Sequence, residues 1–433
     1  MARGRAGEPA VSTGAAQRPS TLAPFGVRAF RFQWPADLAT SWAFEMEMII
    51  LGWYVLVETQ SVLLLTIFVS LQHMGTLISP MFGVMGDRLG HRNVLCAMRG
   101  FYGLLATTLM TLTFLDALSP VYVFILAGLL GLVRPSDIGM RAALVGDTMP
   151  PRLLVGAMGI QRTTQDSAKV AGSLTGAGLV VLIGMGPAYL VVASFYLTSV
   201  VLTLKAGDAH SRAALPPQKA RASAAASPWR DLREGLKYVW TTPRLFAVMC
   251  LAFLLNLTAF PLFNGLLPYV AKEIYVTDQT GLGYMVAGAA SGSLLASIVL
   301  SRHGSFFPPA RLMIVACIAW YSFLLVFANV PLHIAGIAIL FLAGISQSVS
   351  QVPMAAMLLR TTEEQYRGRV MGIRMLAIYG NVPGLLIAGQ VIPLIGYPLT
   401  ASLYCMFGIA VTVLIALRWK DDLWRRDAPA NTR

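Results

Sequence analysis

"GVMGDRLGHR", residues 83–92, sets an Asp, two Arg and a His between two long apolar runs of a chain that is sparing with charge. On both sides of it, apolar stretches of about 20 residues recur from residue 33 to residue 418, each long enough to cross a hydrocarbon core about 30 Å thick as a helix. Of 433 residues, 56% are hydrophobic and 12% charged, against about a quarter charged in a soluble domain. A helix packed on a soluble core shows polar residues on one face every three or four positions, and most of these runs do not. The chain therefore reads as an all-α polytopic membrane protein. Its spans fall near 33–57, 61–85, 94–115, 120–146, 157–184, 187–205, 244–268, 280–301, 309–329, 331–358, 369–392 and 396–418, twelve in all.

The net charge of +13 suggests nucleic acid until its placement is followed. Arg88, Arg92, Arg99, Arg152, Arg302, Arg311, Arg360, Arg367 and Arg369 fall in every second loop, as do the basic residues of 205–244 and of both tails. The opposite loops hold one basic residue, Lys272, beside Glu273. Cytoplasmic loops are the ones enriched in Lys and Arg, so both termini are expected inside, in the inner or plasma membrane. The topology rule accounts for the charge, and no nucleic-acid partner is called for; membrane lipid is the expected surroundings. Cys96, Cys250, Cys317 and Cys405 lie in four different spans without ligand-like spacing, which indicates neither a disulfide framework nor a metal site.

Residues 1–24 are small, polar and basic, without the apolar core of a cleavable signal; they read as a disordered cytoplasmic tail. A first six-helix half is expected over 25–205 and a second over 244–418, with a short tail at 419–433. The linker between them, 206–243, begins as an Ala/Ser/Pro stretch. It ends as an amphipathic helix capped by Ser227 and Pro228, with Trp229, Leu232, Leu236 and Val239 on one face. The halves repeat one another. Arg162 and Arg374, Gly172 and Gly384, and the dipeptides Ile183-Gly184 and Ile395-Gly396 are all separated by one and the same interval, so the fifth span matches the eleventh. Two parallel repeats about an axis along the membrane normal are a transporter architecture, with the substrate site between them.

The stretch at 83–92, with its continuation "NVL", resembles the loop signature of the major facilitator superfamily. Gly83, Asp87, Arg88, Gly90 and Arg92 fit it, and His91 stands where Arg is commoner. The segments "FNGLLPYVAKEIYVTDQTGLGYMVAGAASGSLLAS" (263–297), "RGRVMGIRMLAIYGNVPGLLIAG" (367–389) and "LREGLKYVW" are similar to the branch that contains the enterobactin exporter and macrolide efflux proteins. The resemblance covers roughly residues 25–420. It implies a major facilitator fold of two six-helix halves. It also implies that Asp87 latches the cytoplasmic side shut against the start of the eleventh helix at Arg367-Gly368-Arg369, where a positive helix end and two cations await a carboxylate. Gly83 is expected to let neighbouring helices approach. A degenerate copy of Asp87-Arg88-Leu89-Gly90 stands in the second half as Ser301-Arg302-His303-Gly304, with Ser in place of the acid.

Ionisable residues inside spans are expensive and mark function by default. Five acids qualify: Asp37, Glu45 and Glu47 in the first span, Asp137 in the fourth and Asp166 in the fifth. Arg134, Asp137 and Arg141 share one helical face, as do Arg162, Asp166 and Lys169. Glu45 and Glu47 point to nearly opposite faces; Glu47, Glu45, Asp137 and Asp166 are the candidate proton-coupling residues, with Glu47 narrowly preferred for a central cavity. The alternative is a structural ion-pair network sealing the first half. Arg134 departs from the family pattern and is a candidate for an anionic substrate group. With Lys169, Arg141, Asn256, Asn264, Gln351 and Asn381 it makes up the expected substrate cavity, to which Phe260, Phe263 and Tyr379 add apolar surface. His73 is expected in a helix interface rather than in a proton relay. Gly172, Gly176 and Gly178 of the fifth span permit close packing; the Pro that the exporter branch carries after the Gly is Ser173 here.

These features lead to a secondary active transporter, a monomer working by alternating access, that exports a small amphipathic molecule such as a siderophore or drug-like compound. A proton gradient rather than a bound cofactor would drive it, since no Walker A loop is present. A lysophospholipid carrier of the same superfamily is the alternative. A membrane-embedded enzyme is disfavoured by the lack of HExxH, GxSG or carboxylate-rich signatures.

Overall fold

The computed structural model describes residues 22–206, 228–303, 309–363 and 366–424. All regular structure among them is helical. By length and composition ten helices are able to cross a membrane, or eleven if the bent pair Val62–Thr76 and Met81–Leu89 is one span. The remaining long helix, Arg28–Thr59, is 32 residues long and carries the acids Asp37, Glu45, Glu47 and Glu58. Counted with those eleven as the first span, it makes twelve among the described residues, and it is the one richest in acids.

The other spans are Val62–Leu71 continued by Ser79–Leu89, His91–Phe114, Pro120–Thr148, Pro151–Ile183, Met185–Lys205, Pro243–Phe260 continued to Ile274, Gln279–His303, Pro309–Asn329, His333–Thr361, Arg367–Ala377 continued by Asn381–Ile395, and Tyr397–Arg418. Three of them are not straight. The second bends by 50° around residues 72–79, the seventh contains π-helical turns at Pro261–Gly265 and Val270–Ile274, and the eleventh has a 3-10 turn at Ile378–Gly380. Periodicity in the sequence does not reveal such breaks. The breaks at residues 72–79, Pro261–Gly265 and Ile378–Gly380 contain Gly or Pro, and in the first of them the Leu77 N–H is taken up by the Tyr379 hydroxyl.

The repeat is visible in the packing. Gly184 and Gly396 end the fifth and eleventh spans with φ of 84° and 81°, a left-handed conformation that glycine adopts without strain. A Cβ on Gly172 would lie 2.7 Å from Glu45 Cβ in the first span, and one on Gly384 would collide with Leu257 O in the seventh. Leu257 follows Glu45 at the interval that also separates the two glycines. In each half, therefore, the fifth helix presses its glycine on the same point of the first. Spans two and four meet at Gly75 and Gly131, and spans eight and ten meet at Gly292 and Gly344, with all four glycines against opposing backbone carbonyls. In lipid, where apolar side chains gain little by leaving one apolar solvent for another, such backbone-to-backbone contact is what holds helices together.

By the alternation of the helices, the described span ends that carry Arg88, Arg92, Arg152, Arg311 and Arg360 fall on one side of the bundle, the basic face. Contacts between the halves gather toward the other side. Gly52 meets Pro268 there, Lys272 Nζ donates to Gln60 Oε1 at 2.5 Å, and Gly389 lies against Leu63 and Thr66. Further along, Gly283 of the eighth span packs on Ser173 and Ala177 of the fifth. The second and eleventh spans stay together as far as Tyr379, whose hydroxyl donates to Met74 O and accepts from Leu77 N, both at 2.9 Å. The linker helix, Pro228–Thr241, docks on the start of the eleventh span: Glu234 pairs with Arg369 at 2.9 Å, and Tyr238 stacks on Tyr366 with ring centroids 4.3 Å apart. Val239 is buried, while Leu236 and Trp240 are exposed. Ser227, the side chains of Trp229 and Leu232, the early linker, residues 1–21 of the first tail and residues 425–433 of the last lie outside the described residues.

Candidate transport site

Two acids and two arginines of the first half are sealed together. Arg99 of the third span is fully buried and ion-paired with Asp37, and it also donates to Thr203 of the sixth. Arg141 pairs with Asp137 one turn before it on the fourth span. It donates to Ser41 Oγ at 2.6 Å and to Asp37 O at 3.1 Å, and its Nε lies 3.8 Å from Asp37 Oδ1. Gln161 of the fifth span completes the shell, donating to Asp37 Oδ2 at 3.0 Å. An isolated ion buried here would cost several kcal/mol, and pairing of this kind offsets that cost. The cluster thus ties five of the six helices of the half with no net charge. Arg99, expected to be a loop residue of the topology rule, is a core residue: its helix begins at His91 rather than near 94, which carries Arg99 two turns inside. Asp137 and Arg141, expected at a proton site and a substrate cavity, are both enclosed in the cluster, each 1% exposed.

Glu47 stands apart from that cluster. It is 2% exposed and accepts a hydrogen bond from Tyr196 Oη at 2.8 Å, in the part of the core built from Phe44, Tyr102, Tyr189 and Tyr196. It makes no ion pair within 4.0 Å among the described residues, although Arg134 acts on it electrostatically. Arg134 bonds Gln72 Oε1 at 3.2 Å and lies over the Phe44 ring, 4.5 Å from its centroid. Glu47 is therefore turned into the first half, and Arg134 shares its neighbourhood. The squarely cavity-facing placement preferred for Glu47 is not what the helix delivers. Glu45, on the other side of the same helix, is half-buried against Gly172 of the fifth span.

The remaining candidates lie between the halves. Lys169 donates to Asn264 Oδ1 at 3.1 Å, joining the fifth span to the seventh. Asp166 pairs with Arg162 Nε at 3.3 Å and accepts from Ser297 Oγ of the eighth span at 3.3 Å. Ser297 and Ser348 share a hydrogen bond of 2.9 Å, which brings in the tenth span. Gln351, three residues on, accepts weakly from Arg374 Nη2 at 3.5 Å. A polar chain thus runs from the fifth span through the eighth and tenth to the eleventh. Asn381 meets His73 at 3.4 Å in the interface of spans eleven and two, where His73 was expected. Asn256 donates to Ala252 O of its own helix, and Phe260 and Phe263 stand edge-on to Trp320 inside the second half. Sequence reasoning gave Arg374 no role beyond that of repeat partner to Arg162. Its signal was there: Arg374 is the cation furthest inside the expected spans of the second half, which hold no acid.

In the loop at 83–92, Gly90 takes a φ of 87°, which turns the chain between the second and third spans. Gly86, not Gly83, is the crowded glycine, against His91 and Met140; nothing lies within 4 Å of where a Gly83 Cβ would be, and the same holds for Gly178 of the fifth span, whereas Gly176 presses on Met46. Asp87 is 75% exposed and has His91 Nε2 at 3.5 Å. His91 Nδ1 lies 2.6 Å from Asp147 Oδ2 at the end of the fourth span. Arg88 is exposed, and Arg92 turns to Asn93 Oδ1 at 3.2 Å. Arg369, the expected receiver of Asp87, is paired with Glu234 of the linker helix. The side chains of Arg367, Gly368 and the Ser301-Arg302-His303-Gly304 copy lie outside the described residues.

Two repeated six-helix halves, joined on one side and with charged and polar side chains between them, form the architecture of a membrane transporter of the major facilitator type. The chain belongs to the family described as transmembrane secretion effector, which matches residues 19–428. No curated protein matches it. Its fold is similar to that of a bacterial homologue of the human lysosomal transporter Spinster, in an inward-facing and unoccupied conformation, at a TM-score of 0.65 and 12% identity over 92% of this chain and 96% of that one. It is likewise similar to the POT family transporter PepTSo, at a TM-score of 0.73 and 12% identity over 92% and 99% of the two chains. The D-xylose–proton symporter gives 0.66 and 10% over 89% and 96%. At such identities the likeness is one of fold.

Proposed function

We propose that this transporter is a proton-coupled exporter of a small amphipathic molecule, a siderophore or drug-like compound, with its basic face in the cytoplasm and its halves over 25–205 and 244–418 rocking about a midplane site. The observation that carries the coupling is the environment of Glu47. Asp37 and Asp137 are locked to arginines enclosed with them, which suits a structural role. Glu47 has one hydroxyl donor, no ion-pair partner among the described residues and a cation nearby, and a carboxyl so placed changes protonation when the field around it changes. Arg134 is the group that shifts that field: a substrate that draws on Arg134 alters the charge state Glu47 prefers, and the reverse holds by linkage. The gathering of contacts away from the basic face, with Asp87 exposed and disengaged, supports a state open to the cytoplasm and ready to load.

The test has two parts. A deletion strain profiled for lost secretion of iron chelators and for altered drug sensitivity supplies a compound. Transport of that compound into proteoliposomes is then measured with and without an imposed pH gradient. The expected outcome is uptake that follows the gradient in the wild type and ignores it in Glu47→Gln; uptake by the wild type that ignores the gradient sinks the coupling.

A further inference from the structure

Arg374 and Arg162 occupy equivalent positions of the two repeats, and the tertiary structure brings them within electrostatic reach of each other across the boundary between the halves. Their partners are unequal to their charge. Arg162 gives only its Nε to Asp166, at 3.3 Å, and its side chain is 63% exposed, leaving both terminal nitrogens without a partner among the described residues. Arg374 has no carboxylate among the described residues, only the Gln351 amide oxygen at 3.5 Å. Half-buried in a span, an arginine without an anion is a costly arrangement, and a second arginine within electrostatic reach adds repulsion. Lys169 stands two turns further along the same face of the fifth span as Arg162, and Arg134 lies deeper. Against these cations stand Asp166, already paired, Glu45, and Glu47 beside Arg134.

We propose that Arg162 and Arg374 form an anion site shared by the two halves at the mouth of the basic face, and that the transported molecule carries a compact oxyanion, of carboxylate type, which bridges them. This rests on the reading of the chain as a carrier loading from that face, and it names the chemical class of its cargo. Guanidinium groups present paired donors that match an oxyanion. One such group, held between arginines of different halves, cancels the repulsion between them and draws the halves together. An empty carrier is thereby held open on this side and a loaded one is free to close. Because the two arginines belong to bodies that move relative to one another, the geometry of the site differs between the two states, which lets a bound group favour one of them.

The experiment uses the full-length protein in lipid nanodiscs, with Cys96 and Cys250 replaced by Ala and a reporter thiol introduced as Gln351→Cys beside Arg374. The thiol is alkylated with the anionic sulfonatoethyl methanethiosulfonate and with the cationic trimethylammonioethyl analogue. Rates are referred to those of a free thiol. An excess of anion over cation rate of about tenfold is expected from a focused positive field, falling toward unity in Arg374→Gln and in Arg162→Gln and retained in Arg374→Lys. Salicylate is expected to slow the labelling and salicylamide, its uncharged analogue, is not, with protection lost in Arg374→Gln. Size-exclusion profiles of each variant confirm folding, and the Lys variant carries the test where Gln does not fold. A rate ratio indifferent to both arginines, or protection by salicylamide alone or by neither compound, overturns the proposal. Labelling needs no gradient and no turnover, so failure of proton coupling and failure of this site give separate results.

Discussion

Replacing Arg99 by Met removes one charge from a cluster of two acids and two arginines that is otherwise neutral. Asp37 would keep Gln161 at 3.0 Å and the edge of Arg141 at 3.8 Å, but would lose its ion pair, and Thr203 would lose the donor that reaches it. A buried charge left behind in this way costs roughly 3–5 kcal/mol. Most of it should return in the double variant Asp37→Asn with Arg99→Met, which restores neutrality and leaves an amide that still bonds Gln161, so that the pair together costs about 1–2 kcal/mol as two imperfectly satisfied polar groups do. The assay is thermal unfolding of the purified protein in detergent followed by size-exclusion, with single and double variants completing a cycle. Strongly favourable coupling between the two positions is expected. If the single variant costs less than about 1 kcal/mol, as an exposed ion pair does, or if the two losses simply add, the reading of this cluster as the tie of the first half is refuted.

Other outcomes depend on the packing. Gly131→Ala drives a Cβ into Leu71 O, where no side chain can yield; a loss of about 1–3 kcal/mol is expected, whereas Gly178→Ala, which meets open space, should stay within about 0.5 kcal/mol in the same assay. Tyr238→Ala removes the stacked ring that holds the linker helix on Tyr366, a pair worth about 0.5–1.5 kcal/mol; faster amide exchange in residues 233–241 than in the wild type is the sign of release, and unchanged exchange counts against docking through that pair. Asp87→Asn should slow transport while leaving thermal stability unchanged, because Asp87 is exposed in the state described; equal rates for both chains would show that the loop acid plays no part in closing the basic face.

Several of these positions were legible before the structure. The acids of the first, fourth and fifth spans stood out because charge is rare there, and the glycine repeat pointed to the matching of spans five and eleven. Which acids belong together was not legible. Helical periodicity assigned Arg141 to Asp137 correctly, since both lie on one helix, but it had no means of assigning Arg99 to Asp37, far away in the chain on another. The choice between Glu45 and Glu47 likewise depended on how the first span is rotated against the third and sixth, which side-chain packing sets. Arg374 was read only as the repeat partner of Arg162, because its lack of a carboxylate among the described residues shows only in space.

The sequence by itself determined the properties that composition and spacing dictate: the apolar length of the spans, the alternate loops in which cations gather and the repeat of one half by the other. Those are local properties, set by the cost of exposing backbone or charge to lipid. Tertiary structure alone decided which charges are spent on each other and which remain uncompensated. Contacts between residues far apart in the chain depend on helix rotation and on the bends at residues 72–79, 261–265 and 378–380, and no periodicity records them. The loop at 83–92 shows both sides: its glycine and its charges were readable in order, while its acid, left exposed beside a histidine as the linker helix holds Arg369, was placed only by the fold.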